Sequence, residues 1–173
     1  MKTLYLIRHA KASWDHPEQP DIERTLTELG ETDAHNIAQR LKKEGCKPDL
    51  IIASTAARAL KTAEIFAEEL GYPLDKITTD SHIYTGGVEE IVQLIKTFNS
   101  KTNTILLIGH NPTLTLLSHF LCEGLHMTIT TCGVLGMGFE MKDWKEVVET
   151  EGQFLAYTHP HHDFPDAHVP DDV

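Results

Sequence analysis

Four residues stand out by type and position. Arg8 and His9 close the apolar run Leu4-Tyr5-Leu6-Ile7, Arg58 follows the run Leu50-Ile51-Ile52-Ala53, and His110 comes directly after Thr104-Ile105-Leu106-Leu107-Ile108-Gly109. Short apolar runs with β-forming side chains read as strands buried on both faces of a parallel sheet. In such sheets ligands bind beyond the carboxyl ends of the strands, which is where these residues fall. Arg58 sits in the first turn of an expected helix, where the dipole disfavours a cation. An anion held between its guanidinium and nearby backbone N–H groups would resolve that conflict; a carboxylate partner, or snorkelling to water, is the plainer alternative. His110 is either pushed into the crevice by the tight turn Gly109-His110-Asn111-Pro112 or simply bonded to a backbone carbonyl. Taken as a set, the two arginines and two histidines predict one compact cationic pocket. Because guanidinium forks match phosphate oxygens, the expected occupant is a phosphoryl group.

The same set supplies a mechanism. His9 can attack phosphorus only as neutral imidazole; its ordinary pKa of about 6.5 favours that form, and Arg8 and Arg58 should depress it further. Arg8, Arg58 and His110 would stabilise charge on the equatorial oxygens during in-line transfer. Water would then hydrolyse the phosphohistidine, replacing one hard step by two easier ones.

Strands alternating with helical patterns predict a three-layer α/β/α fold around a mainly parallel sheet. After the first strand, residues 12–25 carry Pro17 and Pro20 and read as a loop. Thr25-Leu26-Thr27-Glu28 predicts a helix start with Thr25 as cap, and Leu29, Ala34, Ile37, Ala38 and Leu41 form its apolar stripe up to Gly45. Ser54-Thr55 predicts the cap of a second helix carrying Leu60, Ala63, Ala67 and Leu70 and ending at Gly71. An edge strand is expected near Ile77, a third helix over Ile91–Phe98, and a fourth with Pro112 as its first residue, followed by Leu114, Leu117 and Leu121. Residues 134–141 and 145–157 are expected as two late strands, antiparallel to each other.

The chain has 173 residues, 40% hydrophobic and 24% charged, which predicts one globular domain over 1–158 followed by a Pro/His/Asp-rich tail over 159–173. His159, His161, His162 and His168 match no defined metal-site spacing, and Cys46, Cys122 and Cys132 match neither a disulfide framework nor a zinc pattern. No apolar run is long enough to span a membrane, and Met1-Lys2 leaves no room for a signal peptide before the first strand, so a cytoplasmic protein is expected. A formal net charge of −11 argues against nucleic acid as the partner. The oligomeric state is not legible.

Arg8-His9, Ser54-Thr55-Ala56-Ala57-Arg58-Ala59 with Thr62-Ala63, and Gly109-His110-Asn111, in this order, resemble the motifs of the histidine phosphatase superfamily. The resemblance runs from residue 3 to about residue 122 and implies a phosphoglycerate mutase-like fold. Within the superfamily, Arg8-His9-Ala10-Lys11-Ala12-Ser13-Trp14 followed by Asp21-Ile22-Glu23-Arg24-Thr25-Leu26 is similar to the SixA-type phosphohistidine phosphatases. That implies His9 as nucleophile, Arg8, Arg58 and His110 as phosphate ligands, no metal or other cofactor, and a histidine-phosphorylated signalling protein as substrate. A phosphatase of small phosphorylated metabolites and a non-catalytic phosphate-binding module are the alternatives.

One departure bears on mechanism. Many relatives place a glutamate proton donor before the third helix, where this chain reads Asp80-Ser81-His82-Ile83-Tyr84-Thr85. His82 and Asp21 are the candidate donors, with Tyr84 and Asp15 further options. A dedicated acid is dispensable if the leaving group is imidazole, which protonates readily near neutral pH. Lys11, Ser13 and Arg24 are candidates to widen the anion site, and Trp14 is either a docking aromatic or a lid on the core.

Overall fold

The computed structural model describes residues 1–161. Its framework is a six-stranded sheet in the order β3-β2-β4-β1-β5-β6, formed by β1 (Lys2–Arg8), β2 (Leu50–Ala53), β3 (Thr78–Thr79), β4 (Thr104–Gly109), β5 (Val134–Phe139) and β6 (Gln153–Thr158). β1 to β4 pair in parallel, whereas β5 runs antiparallel to both β1 and β6.

The sheet is central because its apolar strands bury both faces. Along β4, Ile105 and Leu107 pack into one core with Leu4, Leu6, Ile91, Ile95, Leu114 and Leu117. Leu106 and Ile108 point the other way and join Ile7, Ile37, Leu41, Ile51 and Phe66. This period-two alternation places α1 (Glu28–Lys43) and α2 (Ala57–Leu70) on one face, and α4 (Val88–Ile95) and α5 (Thr113–Leu121) on the other. A short turn of helix, α3 (His82–Thr85), precedes α4. The three layers are those expected from the sequence. No helix among the described residues is long and apolar enough to cross a membrane.

Several boundaries differ from the expectation, each for a local reason. α1 is capped by Thr27, not Thr25; the Thr27 hydroxyl accepts from the Gly30 amide at 3.0 Å. Thr25 is engaged earlier in the chain, its carbonyl accepting from the Ser13 amide at 2.7 Å. With that start, Leu29 turns to solvent and leaves the apolar stripe. Gly30 is required there, since any β-carbon would collide with the Lys11 carbonyl oxygen. α2 has Ala56 at its cap position, and Ser54 bonds the Ala56 amide from two residues earlier. Pro112 stands one residue before α5.

The second late strand begins only at Gln153. Residues 144–146 instead form a 3-10 turn capped by Asp143, and the buried Trp144 donates its indole N–H to the Thr102 carbonyl at 2.8 Å. Of the expected tail, His159 stacks on Tyr157 with ring centroids 5.4 Å apart and stands 4.5 Å from the ring of His161. His162 and His168 lie outside the described residues.

Candidate active site

The three parallel strand ends bring the chemistry together. Arg8 is the last residue of β1 and pairs across to Gly109 at the end of β4, so His9 and His110 leave the sheet side by side. Their rings lie 5.2 Å apart between centroids. His9 is pinned from both sides, its N–H donating to the Gly109 carbonyl and its carbonyl accepting from the Cys132 amide, each at 3.1 Å. Arg58 enters from the first turn of α2. Thr62, one turn later, ties that helix to the nucleophile loop: its hydroxyl donates to the Arg58 carbonyl at 2.8 Å and accepts from the Ala10 amide at 3.1 Å. Arg8, His9 and Arg58 are no more than 2% exposed, and His110 is 8% exposed.

Burial dominates the electrostatics. It pushes the His9 imidazole down to about 3, helped by His110, Arg58 and Arg8 and opposed by the bond to Ala10. The arginines act in the direction expected from the sequence, but burial, which the sequence reading did not weigh, and the neighbouring His110 lower it more. Burial likewise pushes His110 down to about 4, with Arg58 and Arg8 adding and Asp21 opposing. Both histidines are therefore neutral near pH 7. The Nδ1 of His9 faces the Ala10 carbonyl at 2.8 Å, and a carbonyl can only accept, so the proton of neutral His9 resides on Nδ1. The Nε2 lone pair is left for nucleophilic attack.

Arg58 meets a carboxylate after all. Its Nη2 lies 3.0 Å from Asp21 Oδ2 and its Nη1 donates to the Asp21 carbonyl at 2.8 Å. Asp21 belongs to a 3-10 turn, Asp21–Glu23, within the loop after His9. It also accepts from the Tyr84 hydroxyl at 2.7 Å and pairs with Arg24 at 3.1 Å. Partial burial alone would raise the Asp21 carboxyl, but Tyr84, Arg58 and Arg24 outweigh it and hold the group below the usual range. Asp21 rests as a carboxylate.

Even so, the cluster is not internally satisfied. His9 Nε2, His110 Nδ1 and Arg58 Nε are all buried and find no hydrogen-bond partner among the described residues. Leaving one such group unmet costs about 1–3 kcal/mol, so three in one cluster call for a ligand that brings acceptors to the donors and an electrophilic centre to the His9 lone pair. Mixed donors and one lone pair suit a phosphoryl group: oxygens for Arg58 and His110, phosphorus for His9.

The remaining candidates divide. Arg24 and Trp14 sit beside Asp21, with the buried Arg24 guanidinium carbon 3.4 Å from the centre of the exposed Trp14 ring and its Nε donating to the Ser13 carbonyl at 3.2 Å. Tyr84 reaches the cluster through Asp21 and packs edge-on to His110 with centroids 5.6 Å apart. His82 does not: its side chain is 64% exposed and bonded to Asp80 at 2.8 Å. Lys11 is held through its main chain, its carbonyl accepting from the Thr27 amide at 2.9 Å. Asp15 is exposed in the loop. Among the described residues, no three His, Cys, Asp or Glu side chains are grouped to hold a metal ion.

Two contributors escaped the sequence reading. Ser54 was expected only as a helix cap, yet its hydroxyl lies 2.7 Å from His110 Nε2. The loop at Ile129 bonds both Arg8, at 3.3 Å, and Asn111, at 2.7 Å, through one carbonyl. The serine carried a signal, since it comes after β2 at the same sheet end as His110. The Ile129 loop carried none.

Residues 4–83 match the model of the histidine phosphatase superfamily, branch 1. An uncharacterised chloroplastic protein of Arabidopsis thaliana is 28% identical over 159 residues, covering 87% of this chain and 72% of that protein. A 2,3-bisphosphoglycerate-dependent phosphoglycerate mutase of Bartonella bacilliformis is 36% identical over 78 residues, covering 42% of this chain and 36% of the mutase. Among solved structures, an Agrobacterium tumefaciens protein assigned as the phosphohistidine phosphatase SixA superposes with a TM-score of 0.77 at 27% identity, covering 92% of this chain and 99% of that one. The fold is thus phosphoglycerate mutase-like; residues 4–83 carry the pattern of the histidine phosphatase superfamily, and the chain is similar along nearly its whole length to a structure assigned to the SixA phosphatases.

Proposed function

We propose that the chain hydrolyses phosphohistidine on a protein through a phosphohistidine intermediate on His9. The observation that carries the reading is the trio of buried, unpartnered nitrogens at His9 Nε2, His110 Nδ1 and Arg58 Nε. The His9 Nε2 pair attacks phosphorus while the bond from phosphorus to the substrate nitrogen breaks. Protonation of the substrate ring at its other nitrogen lets it depart as neutral imidazole, so no positioned acid is required. The ring of phosphorylated His9 keeps its Nδ1 proton against Ala10. It is then cationic and gives up phosphorus readily when water attacks, the bonding pair returning to Nε2. Asp21, ionised and bonded to Arg58, is the group we assign to accept the proton from that water. Arg8, Arg58 and His110 hold the equatorial oxygens.

Two observations favour phosphohistidine over an alkyl ester. The carboxylate that reaches the cluster carries no proton to give to an alkoxide, and the similar Agrobacterium structure is assigned as a phosphohistidine phosphatase.

The test is phosphate release from a histidine-phosphorylated phosphotransfer domain, beside p-nitrophenyl phosphate and an alkyl phosphate, with His9→Ala as control. Fast release from the protein, little from the alkyl ester and none with His9→Ala is expected. Equal rates on the alkyl ester would move the substrate to phosphorylated metabolites. Phosphate binding without any turnover would reduce the site to recognition.

A further inference from the structure

The two histidines differ in what holds them. His9 Nδ1 faces a carbonyl, which can only accept, whereas His110 Nε2 faces the hydroxyl of Ser54, which can do either. The neighbours of Ser54 remove that ambiguity. Ser54 is completely buried, and its oxygen already accepts from the Ala56 amide at 3.1 Å. Were His110 to donate from Nε2 as well, the serine hydrogen would be stranded in the core without an acceptor. His110 would then turn a bare Nδ1 lone pair toward the oxygens of a bound phosphoryl group. If Ser54 instead donates to Nε2, every polar atom of the pair but one is satisfied. That one is Nδ1–H, the buried group with no partner among the described residues.

We propose that Ser54 is a positioning residue that fixes His110 as an uncharged Nδ1–H donor aimed at the phosphoryl oxygens. The two rings thus carry their proton on the same nitrogen and present opposite faces: His9 shows a lone pair, His110 an N–H. A carbonyl behind one ring and a hydroxyl behind the other separate nucleophile from donor. A neutral donor also leaves His9 free of an adjacent imidazolium, whose charge would favour leaving the phosphoryl group on His9. The catalytic consequence rests on the phosphatase reading; the proton assignment does not.

The experiment is two-bond proton–nitrogen correlation NMR of the imidazoles in the full chain at pH 7, which distinguishes the two neutral tautomers and the cation. The expected pattern for His110 is Nδ1–H with Nε2 unprotonated. Finding Nε2–H or imidazolium overturns the proposal, whatever the substrate proves to be. Conversely, the expected pattern in a protein that turns over no phosphoryl substrate would sink the phosphatase reading and leave the Ser54 assignment standing. Ser54→Ala should release His110 to the other tautomer and lower kcat by about tenfold or more, the usual loss when a group that orients a functional histidine is removed. Its KM should change little, and Ser54→Thr, which keeps the hydroxyl, should restore the wild-type spectrum. Loss of activity in Ser54→Ala with an unchanged His110 tautomer would mean that the serine supports only the local fold. That would overturn the proposal too.

Discussion

The floor of the site and the loop at its rim are held in different ways. Arg8, His9, Arg58 and His110 are buried at the ends of β1 and β4 and in the first turn of α2, fixed by main-chain pairing and by Thr62 and Ser54. The loop of residues 12–25 leaves Trp14, Asp15, Glu18 and Glu23 in solvent and reaches the floor through Asp21 and Arg24. On the floor, donors stand in place before a ligand arrives, so they need no reorganisation at the moment of transfer. On the rim, exposed groups can be exchanged without disturbing the core. On this division the floor carries the transfer and the rim enters the chemistry only through Asp21, and both mutagenesis and acid can put it to the test.

The largest effect is expected from His9→Ala. Removing the nucleophile should lower kcat by at least about ten-thousandfold on every substrate, with no phosphoenzyme trapped by rapid alkaline quench, under which wild-type phosphohistidine survives. Retained turnover on any one substrate would mean that the floor is not a common machine. Next comes Arg58→Ala, which removes one donor to the transferring group and should cost about 10²–10³ in kcat. It also removes the anchor of Asp21, so the variant links floor to rim. Arg24→Ala, which reaches the floor only through Asp21, should cost less, about tenfold under the same assay. Comparable losses from the two arginines would erase the distinction.

Acid should attack the floor before the rim. Burial holds His9 at about 3 and His110 at about 4, both below the value of about 6.5 they take when unfolded. Between those limits the unfolded chain binds more protons than the folded one. The stability these groups contribute is therefore complete above pH 6.5 and is lost as pH falls toward 4 and then 3. The Asp21 carboxylate, held below its ordinary range by Tyr84, Arg58 and Arg24, contributes stability above that range and loses it as pH falls through its folded value. Thermal melts should drop by roughly 5–10 °C between pH 7 and pH 4.5, and His9→Gln should flatten much of that slope. An unchanged slope in His9→Gln would assign the acid sensitivity elsewhere.

The floor was legible in the sequence because strands announce themselves. Leu4 to Ile7, Leu50 to Ala53 and Thr104 to Ile108 are apolar runs of strand length, and the residues just past each run must lie at the same sheet end. Arg8, His9, Arg58 and His110 could be gathered on that ground alone. The rim was not legible, since loop 12–25 has no periodicity and its path depends on long-range contacts. Asp21 could be named but not placed: only the fold reveals that its carboxylate meets Arg58 across 37 positions of sequence. The same limit applied to Thr25 and Thr27. Both offer a hydroxyl near the start of α1, and the tie between Thr25 and Ser13 decides which one caps it. Ser54 was readable as a helix start but not as a partner of His110, because adjacent strand ends supply that contact.

The smallest effect, and the one most specific to the rim, is expected at Trp14. One face of its ring covers the Arg24 guanidinium at 3.4 Å, and the side chain is 55% exposed. A cation–π pair contributes from about 0.5–1 kcal/mol at an exposed site to about 2 kcal/mol when desolvated, so with Arg24 buried beneath an exposed ring Trp14→Ala should lower the melting temperature by only a few degrees. The floor does not touch this ring, and turnover of p-nitrophenyl phosphate should therefore stay within about twofold of wild type. On the proposed function a protein substrate meets loop 12–25, which reaches the floor through Asp21 and Arg24, and exposed tryptophans are favoured anchors in such contacts. For that substrate kcat/KM should fall several-fold through KM, with kcat held. A parallel loss on the small ester would mean that Trp14 acts through Arg24 and Asp21 on the chemistry itself, and the rim would then belong to the floor.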